Sequence, residues 1–141
     1  MNIQSGFQID TPNIFVPWNI NGGQLESLFK THDLNHVTTG YYTIKSESLN
    51  GLKCNIGFHF KPANEGLLKE FEFYFETGEK LENTFKQFQY HFEREFGKPG
   101  KQMHGYPGYP DFEWILDDIQ IIHRVIDRFG PEEHMRIRKL S

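Results

Sequence analysis

Along Leu52–Phe60 apolar and polar side chains alternate. Leu52, Cys54, Ile56, Phe58 and Phe60 fall on one side, with Lys53, Asn55, Gly57 and His59 on the other. This is the period of a half-buried strand. After the 61–66 loop (KPANEG) the same pattern returns in LLKEFEFYFET, where Phe71, Phe73 and Phe75 alternate with Glu70, Glu72, Tyr74 and Glu76. The two segments predict an antiparallel hairpin with one buried and one solvated face. Residues 36–48, rich in β-branched and aromatic types, predict a strand before it, joined through the turn at 49–51. The period then changes. Leu81, Phe85, Phe88, Phe92 and Phe96 form one stripe, which predicts an amphipathic helix stopped by Gly97 and Pro99. Leu25, Leu28 and Phe29 predict a shorter helix over about 23–32, started by Asn21 or Gly22.

At the N-terminus, extended pieces at 6–9 and 13–18 are bounded by Pro12 and Pro17, so this arm is expected on an edge or across a surface. Near the C-terminus, strands are expected at 111–116, 119–127 and 133–140. Asp117-Asp118 serves as a two-residue turn and Phe129-Gly130-Pro131 as the next one. The pattern as a whole predicts a single α+β domain over 1–141. Its antiparallel sheet has about six strands with two helices packed on one face, in the order (β)-α-β-β-β-α-β-β-β. LESLFK at 25–30 and LENTFK at 81–86 share Leu, Glu, Phe and Lys at matching places. A duplicated α-β-β-β unit would leave that trace, and two amphipathic helices also produce it by chance.

Composition narrows the function. Net charge is −4, and the one basic cluster, Arg136–Lys139, puts at most two charges on either strand face, so nucleic acid is disfavoured. The start of the chain lacks a basic n-region and an apolar run, and no window approaches a membrane span. With one cysteine and no disulfide, a soluble cytoplasmic protein is expected. Fourteen phenylalanines predict an aromatic core with surplus for a partner surface or a homodimer.

The seven histidines show no HxH, HExxH or paired-cysteine spacing, so neither metal nor other cofactor is expected; His91 and Glu95 read as a surface pair. Cys54 lies in phase with the apolar face and should be inert. His123 shares the phase of Ile119, Ile121 and Val125, as a core histidine would, and a two-residue turn at 117–118 sets Phe112 opposite it. Glu70, Glu72 and Glu76 face Lys53, His59 and Lys61 across the hairpin, which is the pattern of a salt-bridged solvated face. In the 98–111 loop, YPGYP repeats a Tyr-Pro pair across one glycine. Each proline restricts its own φ and the tyrosine before it, so Tyr106 and Tyr109 are either presented contacts or packing on a sheet edge.

The VPW arm, GLKCNIGFHF, the helix ending in FGKP, the W-I-L strand and the terminal strand pair together resemble small uncharacterised bacterial cytosolic α+β proteins. Some of those look like immunity proteins, which neutralise a cognate toxin by binding it. The resemblance implies a binding role and carries over no functional residue. The expectation is a non-catalytic protein-binding domain that uses Glu70, Glu72, Glu76, Tyr106 and Tyr109. A basic toxin would be steered by the acidic face. The alternative is a small-molecule-binding domain or enzyme, with a pocket between the sheet and the 98–111 loop and with His104 and His123 as its polar groups.

Overall fold

A computed structural model describes residues 1–64 and 66–140; Glu65, in the expected 61–66 loop, and Ser141 lie outside the described residues. The chain forms β1 (Gly6–Thr11), β2 (Ile14–Pro17), α1 (Gly22–Leu28), β3 (Asn35–Thr38), β4 (Tyr41–Ser48), β5 (Leu52–Lys61), β6 (Leu67–Tyr74), α2 (Leu81–Phe96), β7 (Lys101–Tyr106), β8 (Tyr109–Leu116), β9 (Ile119–Asp127) and β10 (Pro131–Lys139). All ten strands join one antiparallel sheet in the order β2-β1-β4-β5-β6-β10-β9-β8-β7, with β3 also on β4.

This overturns the six-stranded α+β expectation: the protein is mostly β. Two local readings fell short, and one held in part. The N-terminal arm lies on an edge, as a hairpin whose β2 is an outermost strand and whose β1 hydrogen-bonds to β4 as well as to β2. Its prolines sit in the turn and at the last residue of β2, where no ladder donor is needed. The 36–48 segment is two strands, broken where Gly40 takes φ 74°. The supposed 98–111 loop is the β7–β8 hairpin, closed by Pro107 and Gly108 (φ 86°) in the proline-then-glycine sequence that suits a tight turn. In place of the α-β-β-β units supposed, the chain holds two helix-and-meander units, with α1 before β3–β6 and α2 before β7–β10. The two meanders meet where β6 pairs with β10.

The buried face carries Tyr42, Ile44, Ile56, Phe58, Phe71, Phe73, Met135, Ile137, Ile121 and Trp114 from neighbouring strands. Phe29 meets Phe58, while Phe88 and Phe92 meet Phe75 and Phe73. Phe7, Val16 and Trp18 of the arm fill the space beside them. Helix α1 is started by a capping box in which Asn21 and Gln24 bond reciprocally at 2.9 Å. Helix α2 ends at Gly97 (φ 82°), whose carbonyl accepts the Trp114 indole N–H at 2.8 Å. That bond ties the helix end to β8.

Candidate functional site

Three places in the fold gather chemistry. The first is the sheet face turned away from the helices. Glu70 is buried on β6, and its carboxylate accepts from Arg136 Nη1 at 2.8 Å and Arg138 Nε at 2.6 Å, with Lys61 Nζ at 3.6 Å. Glu72 accepts from Arg136 Nη2 at 3.3 Å and from the Tyr41 hydroxyl at 3.0 Å, and its Oε1 lies 2.9 Å from His59 Nε2. Burial alone would push both carboxyls up. For Glu70 the Arg138, Arg136 and Lys61 charges outweigh it, for Glu72 His59, Arg136 and Tyr41 do so, and both lie below the usual range. Burial and the Glu72 charge together push the Tyr41 phenol far above its ordinary value. The expected acidic patch is therefore compensated from within, and Glu70 is out of a partner's reach. Glu76 alone of the three is well exposed, beside Asn55 (3.0 Å) and Lys45 (4.0 Å).

Sequence reasoning named Lys61 and His59 as partners but missed Arg136 and Arg138. The available signal was their shared phase on the last strand. Gly57 sits in the middle of this lattice because a Cβ there would lie 2.8 Å from Tyr41 Cε1 and 2.9 Å from Glu72 Oε1. Gly57→Ala is expected to destabilise the fold by about 1–3 kcal/mol, as overpacking does. A urea titration that left it within about 0.5 kcal/mol of the parent would show that the lattice yields easily.

The second place is His123, fully buried on β9 opposite Phe112, as the two-residue turn at 117–118 requires. It occupies the position that Phe58 holds in the first unit: Phe29 lies over Phe58 and Phe85 stacks on His123, with centroids 3.9 Å apart. Both ring nitrogens are engaged, Nδ1 with Gln89 Oε1 at 2.7 Å and Nε2 with Glu133 Oε2 at 2.6 Å. Because the Gln89 amide nitrogen donates to Glu93 at 2.6 Å, its oxygen takes the His123 Nδ1 proton. Burial pushes the imidazole below its ordinary value, and Glu133 opposes that push. The ring is enclosed by Phe85, Phe88 and Phe112. His104 is exposed on β7 and lines the concavity at the hairpin tip, whereas His123 is enclosed in the core.

The third place is the concave surface between α2 and the β7–β8 hairpin. At the hairpin tip Tyr106 and Tyr109 are paired across the turn with rings 6.2 Å apart, both half-buried, and Tyr109 rests on Phe85 with centroids 5.0 Å apart. They share a concavity of about 700 Å³ with Met103, His104 and Pro110. Pro110 also borders a second groove of about 640 Å³, floored by Phe85, Tyr90 and Phe112 and edged by Lys86, Glu93, Arg94 and Lys98. The sequence signal for this groove was the four-residue spacing of Lys86, Tyr90 and Arg94 down one helix face, with Lys98 just past the helix end.

Burial pushes the Cys54 thiol up to about 12, which leaves no thiolate. Among the described residues no group of three or more His, Cys, Asp or Glu side chains is placed to hold a metal ion. His91 bonds the Leu49 carbonyl, while Glu95 pairs with the N-terminal ammonium. Among the described residues no helix is long and apolar enough to cross a membrane. Comparison with protein-family models, curated proteins and solved structures finds no match to this chain.

Proposed function

We propose that the chain is a non-catalytic protein-binding domain, most concretely an immunity-type inhibitor that neutralises a toxin by covering it. One observation carries the reading: the β7–β8 tip holds two half-exposed tyrosines on a firm backing. Tyr109 is braced by Phe85, Tyr106 by Tyr109, and a Pro-Gly turn fixes both. Tyrosines held this way offer large contact area with little entropy left to lose, the character of residues that dominate interfaces. Next to them Met103 and His104 are exposed on β7, an edge strand of the sheet. The acidic face contributes less than its sequence implies, since Glu70 and Glu72 are paired with arginines and Glu76 alone of the three stays well exposed.

The test is a pull-down from the native host's lysate, followed by affinity measurement on the partner recovered. Tyr106→Ala should weaken binding by roughly 30-fold, a hot-spot loss of about 2 kcal/mol, with the melting temperature nearly unchanged. Unaltered affinity would remove the hairpin from the interface. A small-molecule-binding reading keeps one supporting observation, the aromatic-floored groove beside α2. A metabolite that raises the melting temperature and loses that effect on Phe112→Ala would favour it.

A further inference from the structure

We propose that the groove between α2 and β8 seats a short acidic segment of the protein partner. An apolar side chain of that segment would lie over Phe85, Tyr90 and Phe112, and its carboxylates would face Lys86, Arg94 and Lys98. The inference rests on the protein-binding reading and adds the partner's chemistry.

Shape is the first support. The lining runs along the helix from Phe85 to Gly97, a length of about 18 Å at the α-helical rise. A trough of that length matches about five residues of extended chain and is longer than a compact metabolite needs. Three aromatic side chains line its floor, and the Tyr90 ring is half exposed with the Arg94 guanidinium 5.5 Å over it.

Charge is the second support, and it runs against the whole molecule. The chain carries net −4, yet the groove is edged by three cations against one carboxylate, Glu93. Glu93 is already bonded by the Gln89 amide. Lys86 leans away toward Glu82 at 3.3 Å, an exposed pair that a ligand carboxylate can replace cheaply. Arg94 donates to the Tyr90 hydroxyl at 3.0 Å, and both Arg94 and Lys98 are exposed. A basic segment would meet like charges here, so the arrangement selects by repulsion as well as by attraction. The groove meets the tyrosine concavity at Pro110, so one partner chain can occupy both.

The test pans a displayed library of random twelve-residue peptides against the full chain. It then measures the recovered peptides on the parent and on a Lys86→Glu/Lys98→Glu variant. Both sites are exposed, so the variant's melting temperature should match the parent's within a few degrees. The expected peptides carry Asp and Glu around a Phe, Trp or Leu. They should bind more weakly as salt rises and lose at least about tenfold in affinity on the variant. Peptides that are neutral or basic, an affinity equal on both chains, or no peptide recovered would each overturn the inference. The broader reading fails on a different result, a parent chain that captures no stoichiometric partner while the peptides behave as expected.

Discussion

Glu70→Gln is expected to cost the protein about 3–5 kcal/mol, a large share of the stability of a domain this size. The side chain is 1% exposed, yet it accepts charge-assisted bonds from two arginines on β10 and approaches Lys61 on β5. Removing its charge leaves Arg136 and Arg138 facing each other on adjacent positions of one strand face, with Arg136 Nε already buried and without a partner. The loss is then the cost of uncompensated charge in a poorly solvated place, well beyond that of one surface pair. Urea unfolding of parent and variant at pH 7 measures it. A loss below about 1 kcal/mol would show that water reaches the cluster and that it behaves as an ordinary surface pair. A double variant, Glu70→Leu/Arg138→Met, should recover part of the stability, because it removes one buried ion with one of its arginines and leaves Arg136 paired with Glu72.

The pH dependence follows from the same carboxylates. Glu70 and Glu72 have folded-state pKa values below their unfolded ones. Their contribution is therefore complete above the ordinary carboxylate range and is lost as pH falls through the depressed folded values. On acidification the deficit of Glu70→Gln relative to the parent should shrink, since the parent's own carboxyl becomes neutral. A deficit that stayed constant from neutral pH to pH 3 would place the cost in shape instead of charge.

How far the sequence could be read depended on the distance over which each feature is decided. The alternation of β5 and β6, the α2 stripe and the 117–118 turn are local, and each appeared where residue spacing alone put it. The β7 strand was illegible because KQMHGY has no apolar alternation: it is an edge strand, with its first four residues exposed and its pairing shifted between Met103 and Tyr106. Shifted register and a polar sequence discourage further strand addition, and they are the features that make a segment read as a loop. The partners of Glu70 were hidden for another reason. β6 meets β10 only because two meanders close against each other, and no local pattern reports that Glu70 lies opposite Arg138. The cationic groove likewise needed the β8 wall before its helix face meant anything. His123 was legible as a core residue, whereas its two polar partners were not, because Gln89 and Glu133 come from different elements.

Phe71→Ala should match the loss at Glu70, about 3–5 kcal/mol, and for the opposite physical reason. Phe71 is fully buried in the middle of the sheet, with its ring 5.8 Å from Phe58, 5.5 Å from Phe7 and 4.7 Å from Trp18. Two of those three partners belong to the N-terminal arm, so truncation opens a cavity between the arm and β6. The arm has polar ties of its own: the Trp18 indole donates to the Ile3 carbonyl at 2.8 Å, and Leu68 N–H donates to the Ile20 carbonyl at 2.8 Å. Hydrogen bonds of this kind add about 1 kcal/mol each and do not replace a buried aromatic cluster. The variant should therefore lose amide protection first in β1 and β2, at denaturant concentrations where β9 and β10 remain protected, which hydrogen exchange resolves by residue. Phe129, fully exposed in the β9–β10 turn, is the control, and Phe129→Ser should lie within about 0.5 kcal/mol of the parent. If Phe71→Ala loses protection evenly across all ten strands, the arm and the sheet unfold as one cooperative unit. The buried rings would then serve the whole fold instead of fastening its first hairpin.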